Sequence, residues 1–338
     1  MAHEIETYDN VLLHKERAWH GLGIVVEDEL SPTEALDMAG LDYEIVQRPL
    51  FYRDNNGNDV AVPSHVANCR KDVSLLMGVV SSEYQPIQNR QMAEFCEDLL
   101  DKSGDVKIET IGTVRNGKRI WMLLKGKPFG VAKGDEIFPY ICVSNGHDGA
   151  TIYRVTPTTV RTVCSNTLHM VIPDTDTGEL LQSAIAIKHT ANALQRVEDA
   201  KLALKHYHER QESFRQTAER LARIDVKQED VQRFFLECYT ADFGEVSMNP
   251  QNKLEENRRN RAMSAFDSFS RRFDEERSIA GSSAWNAFNS YSGLIQHDKK
   301  ARGKDDVTRV QKRVESNLFG LNQTRTQAAF GRALQMVG

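Results

Sequence analysis

The chain has 338 residues, 40% of them hydrophobic and 27% charged, a balance that excludes wholesale disorder and leaves room for one large domain or two ordinary ones. A net charge of −5 speaks against a uniformly basic nucleic-acid binder, and five cysteines with no C-x-x-C pair favour neither a disulfide framework nor a zinc cage. There is no run of 18 apolar residues, and residues 1–8 are acidic and polar, so the sequence predicts a cytoplasmic protein with no membrane segment.

The charge is polarised along the chain. Residues 1–42 carry 2 Lys+Arg against 10 Asp+Glu, residues 43–187 carry 15 against 17, and residues 188–338 carry 26 against 21. The first part holds a capping box, Ser31-Pro32-Thr33-Glu34, which predicts a short helix through Met38 that ends at Gly40. Alternation over residues 43–52 and the Asn55-Asn56-Gly57 turn predict a hairpin into residues 60–62, followed by a strand over 75–80. Met92, Phe95, Cys96, Leu99 and Leu100 fall at helical spacing, predicting a helix over 89–100. A second hairpin over 106–125 turns at Asn116-Gly117, and strands over 137–143 and 151–155 pair across the Asn-Gly-His-Asp-Gly turn at 145–149.

From Pro157 onward Val160, Val163, Cys164, Thr167, Leu168 and Val171 recur at helical intervals, so a helix is predicted there. Residues 180–223 lack Gly and Pro and are rich in helix formers, which predicts one long helix or a helical hairpin. Further helices are predicted over 231–239, 254–279, 285–295, 307–318 and 324–337. The fold class expected is therefore α+β: an antiparallel hairpin sheet packed with helices, followed by a mainly helical C-terminal region. Three parts result: an acidic segment 1–42, an α+β core 43–179 and a helical region 180–338.

Chemistry-bearing side chains concentrate between Val143 and Leu168, with Asn145, His147, Asp148, Arg154, Arg161, Cys164 and Asn166. Two functional accounts follow. Cys164 near a helix start with His147 as base would make a hydrolase or transferase, although Cys164 shares an apolar stripe with Val160 and Val163, which suits a buried inert thiol better. Alternatively Asn145, His147, Arg154, Arg161 and Asn166, joined by Lys118 and Arg119 at the second hairpin turn, line an anion-attracting groove suited to phosphates. Tyr153, Trp121, Trp285 and Tyr291 are candidates for base stacking, but their apolar company suits the core. His206-x-His208 would point two ways from a helix and suits no metal. The basic clusters Arg258/Arg259/Arg261, Arg271/Arg272 and Lys299/Lys300/Arg302/Lys304 alternate with carboxylates and read as solvated helix faces.

The stretch N-G-H-D-G-A-T-I-Y-R-V-T-P-T-T-V-R-T-V-C-S-N-T-L resembles the central signature of the phage and plasmid proteins grouped as domain of unknown function 932. A-W-H-G-L-G, P-L-F-Y, Y-Q-P-I-Q-N and A-W-N-A-F-N-S-Y are similar to flanking motifs of its full-length phage/plasmid-like subgroup. This likeness implies a mobile-element setting, and the hairpins-then-helix plan is similar to the core of single-strand annealing proteins, which assemble as rings or filaments. The sequence thus leads to a non-enzymatic protein binding or annealing single-stranded DNA in recombination or DNA processing, with no cofactor or metal and as a homo-oligomer. Nucleic-acid contacts are expected from Asn145, His147, Arg154, Arg161, Asn166, Lys118 and Arg119. Two alternatives stay open: a Cys/His enzyme acting on nucleic acid or nucleotides, and a counter-defence protein whose acidic first segment captures a host enzyme.

Overall fold

The computed structural model describes residues 11–14, 24–26, 30–103, 106–161, 167–169, 171–173, 180–182, 184–203, 207–299 and 306–337. Strands β1 (Val11–His14) and β2 (Ile24–Val26) precede α1 (Pro32–Met38). That helix starts as its capping box dictates: Ser31 Oγ accepts from the Glu34 amide, and Glu34 accepts from the Ser31 amide at 2.8 Å. It buries Ala35 and Leu36, and Gly40 at φ +66° turns the chain away.

Next come β3 (Ile45–Arg53), β4 (Asp59–Arg70) and β5 (Leu75–Ser81), an antiparallel three-stranded sheet. Its first turn is held by Asp54, whose Oδ1 accepts from the amides of Asn56 and Asn58, both at 2.8 Å. Helix α2 (Asn89–Ser103) follows and buries Met92, Phe95, Cys96 and Leu99, the stripe that its sequence spacing marks. Burying each of the larger of these side chains stabilises the fold by about 1.5–3 kcal/mol.

The principal sheet is built from β6 (Lys107–Val114), β7 (Arg119–Lys125), β8 (Phe129–Ala132), β9 (Asp135–Gly146), β10 (Tyr153–Arg161) and β11 (Thr167–His169). Its order is β11-β10-β9-β7-β6-β1-β2, antiparallel except for the β1–β2 pair. The β6–β7 turn is of type I′: Asn116 and Gly117 both have positive φ, +59° and +76°, and the Lys118 amide donates to Arg115 O. Strands β12 (Val171–Pro173) and β13 (Leu180–Gln182) form a small separate pair, and β14 (Ile185–Ile187) pairs with β10.

Two sequence expectations are overturned. The helix predicted from Pro157 is strand β10, paired along its whole length with β9, from Arg154 opposite Ser144 to Arg161 opposite Ile137. Val155, Thr156, Thr158, Thr159 and Val160 are β-branched, and that preference outweighs a helical spacing of apolar residues. Pro157 is tolerated because, on the side away from β9, β14 pairs with residues 153–155 and β11 with residues 158–160, leaving Pro157 between them. The helix predicted to begin at residue 180 starts later, since β13 and β14 occupy its first part and α3 (Ala193–Ala203) and α4 (Tyr207–Arg223) the rest. There, pairing of β13 with β12 and of β14 with β10 prevails over local propensity.

The remainder is helical: α5 (Gln228–Phe243), α6 (Lys253–Glu275), α7 (Arg277–Ala280), α8 (Ala284–Gly293), a π-helical turn over Leu294–Asp298, α9 (Asp306–Phe319) and α10 (Leu321–Gln335). Every residue of α8 is buried. Trp285 in α8 donates its indole N–H to Asp135 of β9 at 2.8 Å, tying the helices to the principal sheet across a core that both share. Among the described residues no helix is long and apolar enough to cross a membrane. The chain is α+β, antiparallel sheets with a helical C-terminal region.

Candidate functional site

The Asn-Gly-His-Asp-Gly segment is where the two larger sheets meet. Asn145, at the end of β9, donates to Ile87 O at 2.7 Å and accepts from the Gly146 amide. His147 is enclosed: its Nε2 lies 2.8 Å from Asn89 Oδ1, and Asn89 in turn donates to Leu41 O at 2.8 Å, so the imidazole Nε2 is the donor. The His147 carbonyl accepts from Asn68 of β4, and Tyr84 donates to Gly146 O. Burial, reinforced by the neighbouring His189, lowers the His147 pKa to about 3, so the ring is neutral.

The glycines are required by contact. A Cβ on Gly146 would stand 2.2 Å from the Thr151 Cβ, and one on Gly78 of β5 would stand 2.6 Å from the Asp148 carbonyl oxygen. Asp148 closes the turn, accepting from the amides of Ala150 and Thr151 and from the Thr151 hydroxyl. Burial works to raise its pKa, but these hydrogen bonds prevail and the carboxyl is held below its usual range.

Outward from this junction Arg119 and Arg154 converge on a cavity of about 180 Å³, lined also by Ser144, Thr151, Phe319 and Gln323. Arg119 donates to Thr151 Oγ1 at 3.0 Å and its guanidinium lies 5.1 Å from the centre of the Phe319 ring. Lys118 is half-buried beside the I′ turn.

A larger cleft, about 800 Å³, opens in the helical region between α5, α6, the π-helical turn, α9 and α10. Six cations line it, Arg258, Arg261, Lys299, Lys312, Arg313 and Arg325, against two carboxylates, Glu245 and Asp298. Asp298 is already engaged by Arg272 through two bonds of 2.8 and 2.6 Å. Arg325 leans on Asp242 at 3.7 Å, and Lys299 Nζ sits 3.4 Å from the centre of the Phe243 ring. Among the described residues Arg258, Arg261, Lys312 and Arg313 have no ion pair and Lys299 has only its ring contact, with Glu245 the lining carboxylate left to set against them. Burial, with Arg325 adding to it, brings the Lys299 pKa down to about 8.

A family model described as "Domain of unknown function (DUF932)" matches residues 76–318. The chain belongs to the DUF932 family. No curated protein and no solved structure matches the chain. The DUF932 match begins in β5 and ends in α9, so it takes in the junction at 145–149 and most of the cleft lining, leaving Asn322 and Arg325 beyond it.

Of the residues singled out in the sequence, the structure brings Arg119 and Arg154 together at one cavity and turns Asn145 and His147 inward. Arg161 is described by its backbone at the end of β10, and Cys164, Asn166, His206, Lys300, Arg302 and Lys304 lie outside the described residues. Trp121, Tyr153, Trp285 and Tyr291 are all buried in the core. The helical cleft is not foreseen in the sequence as a site: Arg258, Arg261 and Lys299 stand among its basic clusters, whereas Lys312, Arg313 and Arg325 do not. Arg258, Arg261, Ala265 and Ser268 follow one face of α6, but carboxylates nearby in sequence, Glu255 and Glu256, disguise that face as a solvated one. Among the described residues no cluster of three or more His, Cys, Asp or Glu could hold a metal ion.

Proposed function

We propose that the protein binds single-stranded DNA without catalysing a reaction, in recombination or DNA processing of a phage or plasmid, and that the helical cleft carries the phosphate backbone. The observation behind this reading is the group of four cations without an ion pair among the described residues, Arg258, Arg261, Lys312 and Arg313, in a concave wall that also holds Lys299 and Arg325. Phosphate contacts supply most of the affinity of a sequence-independent binder. The net charge of −5 does not oppose it, because the last 151 residues alone carry an excess of Lys and Arg. A binder rather than an enzyme is favoured because the candidate base, His147, is enclosed with its Nε2 engaged by Asn89, and the thiols Cys96 and Cys142 are buried with raised pKa values.

The test is salt-dependent binding of a fluorescent oligodeoxythymidine. Four phosphates neutralised give a slope of log K against log salt of about −3, a loss of about 50-fold between 50 and 200 mM. The double variant Arg261→Gln/Arg313→Gln brings that slope to about −1.5. Absence of binding at 50 mM salt, or a slope unchanged in the double variant, overturns the proposal.

A further inference from the structure

The small cavity on the principal sheet is electrostatically unfinished. Three arginines face it or border it, Arg115, Arg119 and Arg154, against two carboxylates, Asp148 and Glu315. Glu315 makes its close contact with Arg115, at 2.5 Å, and stands 3.7 Å from Arg119. Asp148 is satisfied by its own turn and is 3.8 Å from Arg115. Arg154 has no carboxylate partner among the described residues.

Arg119 is held as a binding group is held. Its side chain is 14% exposed, its Nη2 is fixed by Thr151, and Thr151 is fixed by Asp148, so the motif's own turn orients the guanidinium. Its Nε is buried and has no hydrogen-bond partner among the described residues. A buried guanidinium is costly to leave without an anion beside it, and an anion in the cavity that Arg119 lines would offset that cost. Burial lowers the Arg119 pKa, Arg115 and to a smaller extent Arg154 add to it, and Glu315 and Asp148 oppose it; a bound dianion would join the two carboxylates.

The volume selects the ligand. At about 180 Å³ the space is well below that of the helical cleft and suits a phosphate with the first carbons of its sugar, not a length of strand. Leu318 and Phe319 wall it on the apolar side, and Gln323 and Ser144 offer neutral hydrogen-bonding groups. The same two helices also wall the large cleft: Lys312, Arg313 and Ser316 of α9 and Asn322 and Arg325 of α10 face one side, whereas Glu315, Leu318 and Phe319 of α9 and Gln323 of α10 face the other.

From this arrangement we infer that the Arg119/Arg154 cavity is a phosphomonoester site, which takes the terminal 5′-phosphate of a strand lying in the helical cleft. The cavity's taste for a phosphomonoester stands by itself; the strand end rests on the reading of the cleft given above. A forked guanidinium pair suits the three terminal oxygens of a monoester better than the two of an internal phosphodiester.

Two measurements on the full chain test it. Thermal unfolding in inorganic phosphate, against chloride at equal ionic strength, is expected to show a raised midpoint for the wild type, a clearly smaller rise for Arg154→Gln, where only the cleft is left to take phosphate, and an intermediate one for Arg154→Lys. Titration with one oligodeoxythymidine carrying either a 5′-phosphate or a 5′-hydroxyl is expected to show about tenfold tighter binding of the phosphorylated form. Arg154→Gln should abolish that preference and leave the affinity of the hydroxyl form unchanged. No thermal shift, or an equal one in Arg154→Gln, overturns the site. A shift with equal affinities for the two oligonucleotides overturns the strand end and assigns the cavity to free phosphate. A shift with no binding of either oligonucleotide upholds the phosphomonoester site and overturns the single-strand reading.

Discussion

Acid should weaken this fold through one imidazole. His147 is fully enclosed, its Nε2–H donates to Asn89, and its Nδ1 is buried without a partner among the described residues. A proton added at Nδ1 would create a buried cation whose new N–H has nowhere to donate. The folded-state pKa is accordingly about 3, against 6.5 for a free imidazole. Because the folded value is depressed, the stabilisation is fully present above pH 6.5 and drains away below it, as the unfolded chain takes up a proton that the folded one refuses. The loss is about 1.4 kcal/mol per pH unit, so about 2 kcal/mol disappears between pH 7.5 and 5.0. His189, lowered by burial, acts in the same direction. Urea unfolding at pH 7.5, 6.5, 5.8 and 5.0 should therefore show wild type losing about 2 kcal/mol more than His147→Gln over that range. Carboxylates titrate mostly below this window and His189 is common to both proteins, so the difference isolates His147. Parallel pH profiles for the two proteins would refute the reasoning.

Gly78→Ala should cost about 1–3 kcal/mol or more, because the new Cβ meets the Asp148 backbone at 2.6–2.8 Å and a backbone cannot swing aside as a side chain does. Its urea midpoint should fall well below that of Gly57→Ala, where the space is open and only the φ of +86° is at stake; equal midpoints would count against the tight sheet–turn contact. Lys299, charged only below about pH 8, should make strand affinity at 0.1 M salt fall about fivefold between pH 7 and 9, as one phosphate contact is lost. Lys299→Arg should flatten that profile, and an unchanged profile in the variant would remove Lys299 from the contact.

What could be read in advance was whatever the chain decides locally. Ser31-Pro32-Thr33-Glu34 caps its helix with its own side chains, and Asn116-Gly117 takes up the positive φ that these residue types favour, with the Tyr43 hydroxyl then donating to Gly117 O. Residues 157–161 misled because a stripe of apolar residues at helical spacing coincides with a run of β-branched ones. Their state is decided by β9, whose edge is open to them. The site followed the same division. Asn145, His147 and Asp148 drew notice by their chemistry, yet most of their polar atoms are engaged within the protein. The cleft cations come from α6, the end of the π-helical turn, α9 and α10, segments that no short window of sequence brings together.

Helix α8 has no face turned to water, and its Asn286, Asn289, Ser290 and Ser292 are enclosed with the rest. Asn286 donates to Phe273 O and Gly281 O, Asn289 to Trp285 O, and Trp285 to Asp135. Such a segment has no position at which change is cheap. A chimera that exchanged only the helical half with a relative would separate Asp135 from the indole it accepts from and present a foreign surface to β9. Among relatives, substitutions at 135 and 285 should therefore travel as a pair, and the two halves of this chain should be inherited together.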